Sequence, residues 1–221
     1  MRCAPGVQRR SVTAILAAVA LLGAPAFVIV TRRVFGSSPP LATQVWLQLA
    51  YCVLTFAFIW AAVRLEKLPP SAIGLRRPTI ATIALAVALL AAAVVLLPAF
   101  TEPIVKWLGA EQRDAGVREL AMLPLWFRLV LAVTGGTIEE TLYRGYALGR
   151  LQALTGSRWV AGLTVVVIFT LAHIPPWGAV FALAGVLPFS ALMTAAYLWR
   201  RDLVANSAAH SAALVVGLLG T

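Results

Sequence analysis

Glu139, Glu140 and Arg144 stand in the run Gly135-Gly136-Thr137-Ile138-Glu139-Glu140-Thr141-Leu142-Tyr143-Arg144-Gly145, within an otherwise apolar stretch over 125–148. A stretch of that length crosses a bilayer, so its charges lie in lipid unless protein shields them. A central acidic or basic residue costs roughly 2.5–3.5 kcal/mol on insertion scales, tolerable only where it faces a bundle interior, pairs or meets water. Three together mark a candidate site. On an α-helix Glu140 and Arg144, four apart, share a face in the favourable order for an ion pair. Glu139 is turned about 100° away and stays free.

The chain has two histidines. His173 ends the segment Phe169-Thr170-Leu171-Ala172-His173, and His210 follows Asn206 by four residues, so those two share a helix face. Both histidines lie in apolar C-terminal spans that a compact bundle can bring to the glutamates. A carboxylate beside imidazole in a partly dry cavity can take a proton from water, and imidazole or amide donors can stabilise the oxyanion formed at a carbonyl. That chemistry is hydrolysis of an amide or peptide bond. No cofactor is expected, but Glu139, His173 and His210 would also suit a zinc ion with an open position. The chain has no H-E-x-x-H, no G-x-S-G and no pair of separated membrane aspartates. A purely structural use of the charges, locking neighbouring helices, stays open beside these.

The elements that must position these residues are membrane helices. The chain is 221 residues long, 61% hydrophobic and 12% charged, far more apolar than a soluble domain. It reads as an all-α, polytopic membrane helix bundle of about seven transmembrane spans, over 11–30, 41–63, 79–97, 125–148, 158–173, 179–199 and 203–219. The division expected is 1–124, holding spans one to three, a basic loop and an interfacial segment, and 125–221, a four-span catalytic core. The first stretch could instead be a signal peptide ending near residue 26, although its apolar run continues to full length.

The net charge of +10 does not point to nucleic acid, because the basic residues cap apolar runs and form no aromatic-interleaved patch. Lys and Arg concentrate on the side of the N-terminus, from Arg2, Arg9 and Arg10 through Arg64, Lys67, Arg76 and Arg77 to Arg200 and Arg201, which places that side in the cytoplasm. Trp46 and Trp60 read as interfacial anchors. Span three has no ionisable group and reads as packing. The mixed segment 101–124 fits a surface helix broken at Gly109 and Gly116. Gly135 and Gly136 are expected to loosen the helix before the acids, and Gly145 and Gly149 to admit a neighbouring helix. Cys3 and Cys52 have neither metal-site spacing nor the number of a disulfide framework.

Three motifs in order, Glu139-Glu140-Thr141-Leu142-Tyr143-Arg144-Gly145, the F-x-x-x-H of Phe169 to His173, and the His210 segment, resemble the CPBP family. This is the CAAX protease and bacteriocin-processing group, also called Abi, of intramembrane glutamic endopeptidases related to the eukaryotic CAAX prenyl endopeptidase. The resemblance covers 125–219, and Ile73-Gly74-Leu75-Arg76-Arg77-Pro78 resembles a basic segment upstream in such proteins. It implies that Glu139 activates the attacking water, that Glu140 and Arg144 support it, that His173 shares activation and positioning, and that His210 helps form the oxyanion site. Phe169 and Tyr143 would be supporting residues. Such a family usually carries Asn or Asp four residues after the third-motif histidine, where this chain has Leu214; Asn206 is the candidate substitute. The expected partners are membrane lipid and a peptide or membrane-protein substrate, and the expected location is a bacterial cell membrane. The competing functions are a noncatalytic scaffold or bacteriocin-immunity protein of the same fold, and a small proton-coupled transporter.

Overall fold

The computed structural model describes residues 5–109 and 111–219, with side chains except at 5–9 and 111–115. Arg2 and Cys3 lie outside the described residues, as do the side chains of Arg9, Glu111, Arg113 and Asp114. All regular structure among them is helical: α1 (Pro5–Phe35), α2 (Leu41–Leu65), a 3₁₀ turn (Pro70–Ile73), α3 (Ile80–Leu108), α4 (Glu111–Ala121), α5 (125–155), α6 (Arg158–Trp177), α7 (Ala179–Arg200) and α8 (Leu203–Leu219). By length and composition α1, α2, α3, α6 and α7 can each cross a membrane. The seven-span expectation also counts α5, which carries the charged motif, and α8, whose 17 residues fall just short of a full crossing.

The boundaries follow local chemistry. Thr79 caps α3 in a reciprocal pair with Thr82, and Ser157 Oγ accepts from Val160 N to start α6. Gly156, at φ 72°, closes α5 in the left-handed region that glycine enters without strain. Asp202 Oδ1 accepts from Ala205 N at 3.0 Å to cap α8, and its Oδ2 accepts from Thr82 on α3 at 2.7 Å.

Two glycine expectations change on packing. The helix runs unbroken through Gly135 and Gly136. A Cβ at Gly136 would sit 2.7 Å from the backbone nitrogen of Ser211, so this glycine lets α8 lie directly on α5. Gly145 admits α8 as expected, and a turn beside it: a Cβ there would lie 3.2 Å from Leu203 Cδ2 and 3.3 Å from Ile73 O. One on Gly149 would instead lie 3.7 Å from Arg201 Nη2 and 3.8 Å from Ala72 O, outside any α-helix. The 3₁₀ turn is tied there by Leu203 N donating to Gly74 O at 2.9 Å and Arg201 donating to Ala72 O at 3.1 Å. α1 joins the same core, because Ala20 and Leu21 are buried against the motif segment and Tyr143 donates to Leu21 O at 3.1 Å.

Outward faces are lipid-like. Trp46 and Trp60, at either end of α2, are both exposed, as expected of anchors. On α4, Gly116 packs under the ring of Trp177, 2.9 Å from where its Cβ would be, and Gly109 ends α3 at φ 79°. Gly116 itself lies inside the helix and does not break it.

Candidate active site

α5 departs from α-helical register at the motif: Glu140–Ala147 form a π-helical stretch. Two more lie in α3 (Ala92–Leu96) and α7 (Ala182–Val186). π-turns inside α-helices often sit at functional sites. The stretches in α3 and α7 border one cavity of about 650 Å³, and Glu139, immediately before the stretch in α5, borders it too; its wall includes Ala93, Val94, Glu139, His173, Gly185 and His210. Span three, expected as packing alone, therefore supplies one side of that cavity.

Depth along the membrane is set by the α5–α6 hairpin. Glu139 and His173 are equally far along the chain from Gly156 at its turn, so antiparallel packing brings them level. The long stretch of α6 ends at Ala172, where His173 caps it; a single turn (Ile174–Trp177) completes α6, and Gly178 turns away at φ 80°. His173 Nε2 lies 4.0 Å from Glu139 Oε2, and His210 Nε2 lies 3.8 Å from the same oxygen.

The two glutamates are held very differently. Glu140 is fully buried and accepts from Arg144 Nη1 at 2.9 Å, His210 Nδ1 at 3.0 Å and Asn206 Nδ2 at 3.1 Å. Arg144, also fully buried, donates from Nε to Thr194 Oγ1 at 3.2 Å and from Nη2 to Ser190 Oγ at 2.8 Å and Ser190 O at 3.2 Å. Its guanidinium lies 4.5 Å from the centre of the Phe169 ring. A buried charge pair with this many partners is a stable, ordered unit; either member alone would be a heavy burden. Among the described residues, Glu139 has no comparable set of donors. Its side chain is 25% exposed and opens on the cavity. It does not simply point elsewhere, because His210 lies between the two carboxylates.

Hydrogen bonding fixes the imidazole protons. A carbonyl and a carboxylate only accept, so Nδ1 of His173 donates to Phe169 O at 2.7 Å and Nδ1 of His210 donates to Glu140. In the neutral rings both Nε2 atoms are then acceptors, and both face Glu139. Phe169 stacks on His173 with ring centres 4.5 Å apart, and Phe189 meets His210 edge-on at 4.7 Å.

Residues 121–216 match the family model described as Type II CAAX prenyl endopeptidase Rce1-like. The match supports the CPBP family for that segment. No curated protein and no solved structure matches the chain. The CPBP match supports a membrane endopeptidase in general and an integral membrane protein. All four candidate catalytic residues fall inside the matched segment.

Within the matched segment, Asn206 is turned away from the cavity. Its Nδ2 donates to Glu140 and to Met193 O at 2.9 Å, so one amide hydrogen holds Glu140 and the other is committed to α7. Leu214, one turn beyond His210, lines the cavity instead. Tyr143 packs edge-on against Phe169 at 5.0 Å and ties α5 to α1. Among the described residues, no group of three or more His, Cys, Asp or Glu side chains is arranged to hold a metal ion. Sequence reasoning missed Ser190 and Thr194, although two hydroxyls four apart in an apolar span share a face and are a legible signal. It also missed Glu66, which accepts from Thr13 and Tyr146, each at 2.6 Å, and lies 3.6 Å from Arg150.

Proposed function

We propose that the chain is an intramembrane endopeptidase in which Glu139 activates water. The observation that carries this reading is the group at the cavity: a carboxylate with no donor among the described residues, faced by two imidazole Nε2 acceptors whose own protons are committed elsewhere. Gaps of 3.8 and 4.0 Å exceed a direct hydrogen bond, and a bridging water is the natural partner for groups at such separations. A water set between Glu139 Oε2 and His173 Nε2 donates to both, leaving an oxygen lone pair for a peptide carbonyl. The O–C bond forms as Glu139 takes a water proton. Glu139 then gives that proton to the amide nitrogen as the C–N bond breaks, releasing an amine and a carboxylic acid.

Glu140, Arg144 and Asn206 position His210 rather than react. His210 is the oxyanion candidate, and it donates from Nε2 only when both ring nitrogens carry protons. The substrate is a peptide or membrane-protein segment whose apolar side chains fit a wall that includes Leu97, Phe181, Phe189 and Leu214. With the N-terminus cytoplasmic, the cavity lies in the opposite half of the membrane, where α3, α6 and α8 end. One observation favours a noncatalytic member of the same fold: Leu214 and the committed Asn206 leave no free side-chain amide beside His210.

The test is cleavage of a quenched peptide library by the purified, detergent-solubilised protein, beside Glu139→Ala and His173→Ala, with and without a chelator. Loss in both variants and indifference to chelator is the expected result. Loss with chelator, restored by zinc, would replace the metal-free mechanism. A folded wild type that cuts nothing would favour the noncatalytic reading.

A further inference from the structure

We propose that the end of the bundle opposite the cavity is a binding surface for anionic phospholipid headgroups. This is independent of the peptidase reading. Three exposed tryptophans at that end each carry an arginine over the ring: Arg64 over Trp60 at 5.4 Å, Arg158 over Trp159 at 4.8 Å and Arg200 over Trp199 at 5.4 Å. They come from α2, α6 and α7, so the arrangement runs around the bundle rather than along one helix. An indole at a membrane interface sits at headgroup level, and a guanidinium stacked on it is held there with its in-plane N–H groups free for phosphate oxygens.

The loop between α2 and α3 adds exposed Lys67, Arg76 and Arg77 to the same end. Its acids offer no counterweight. Glu66 is enclosed by Thr13, Tyr146 and Arg150, and Asp202 by Thr82 and the start of α8. The opposite end differs in its pattern: exposed Arg32, Arg33, Lys106 and Arg118 there are accompanied by exposed Glu119. Charge complementarity thus selects a lipid with net negative charge over a zwitterionic one, and several cations acting together make the preference strong.

The experiment uses the full chain in a neutral detergent, titrated separately with phosphatidylglycerol, phosphatidylcholine and inorganic phosphate, reading the thermal midpoint and the bound lipid by native mass spectrometry. The wild type is expected to gain stability and retain lipid with phosphatidylglycerol only. The triple variant R64Q/R158Q/R200Q is expected to lose at least half of that gain, with affinity falling about five-fold per cation removed. R32Q/R33Q, on the other end, is expected to behave as wild type. Should the triple variant fail to fold, the same comparison is made with R158Q alone and by raising salt, which must weaken retention. Equal shifts with phosphatidylcholine or with inorganic phosphate, or retention unaffected by the arginine changes, would overturn the proposal.

Discussion

Glu139 and Glu140 are neighbours in sequence with opposite surroundings. Glu140 is at 0% exposure with three side chains donating to it, whereas Glu139 is a quarter exposed and faces acceptors. The difference comes from the helices opposite. α7 sets Ser190 and Thr194 on the arginine of Glu140, and α8 sets Asn206 and His210 Nδ1 on Glu140 itself. Glu139 meets the Nε2 atoms of His210 and His173 and an otherwise largely apolar cavity wall. Identical side chains thus have different surroundings: one is fixed inside the architecture, and the other opens on the cavity, where the proposed reaction calls for a free carboxylate.

Breaking the fixed side should cost most. Glu140→Ala leaves Arg144 buried without its carboxylate, and losing one partner of a buried pair costs about 3–5 kcal/mol, so the thermal midpoint should fall steeply and cleavage vanish with the fold. An unaltered midpoint would remove the distinction between the two acids. Leu214→Asn sharpens the open side by placing an amide one turn from His210. A positioned oxyanion donor is worth on the order of 10²-fold, so cleavage should rise toward that scale if the oxyanion forms there. A rate no higher than wild type would move the oxyanion site elsewhere.

Gly136→Ala tests the junction between the two sides. Its Cβ would meet Ser211 at 2.7 Å, so α8 must shift and carry His210 with it. Overpacking of this kind costs about 1–3 kcal/mol, read by thermal melting, and the displaced imidazole should lower kcat more than it changes KM. The smallest effect is expected at Tyr143→Phe. It removes one hydrogen bond to Leu21 O and should lower stability by about 0.5–1.5 kcal/mol, measured in the same melts.

Much of this was legible in the chain. Hydropathy gives the helices, and the four-residue spacing of Glu140 and Arg144 gives their ion pair, made at 2.9 Å. The level placement of Glu139 and His173 could also be counted from Gly156, once the hairpin turn was located there. The role of Gly136 was not legible, because a glycine that loosens a helix and one that admits a neighbour look alike until the neighbour is known: Ser211 for Gly136, as Leu203 is for Gly145. Nor was the orientation of Asn206. Its spacing from His210 is correct for a shared face, but whether its amide turns to Glu140 or to the cavity depends on Met193 across the helix interface. The π-turns leave no periodic signal in so short a stretch.

The most direct measurement is cleavage and melting of Glu139→Gln beside Glu140→Gln, both of nearly native shape. The division of labour predicts that Glu139→Gln melts like wild type while cleaving roughly 10²–10⁴-fold more slowly, as expected for loss of a general base. It predicts that Glu140→Gln melts at a clearly lower temperature. Wild-type cleavage by a folded Glu139→Gln protein would contradict it.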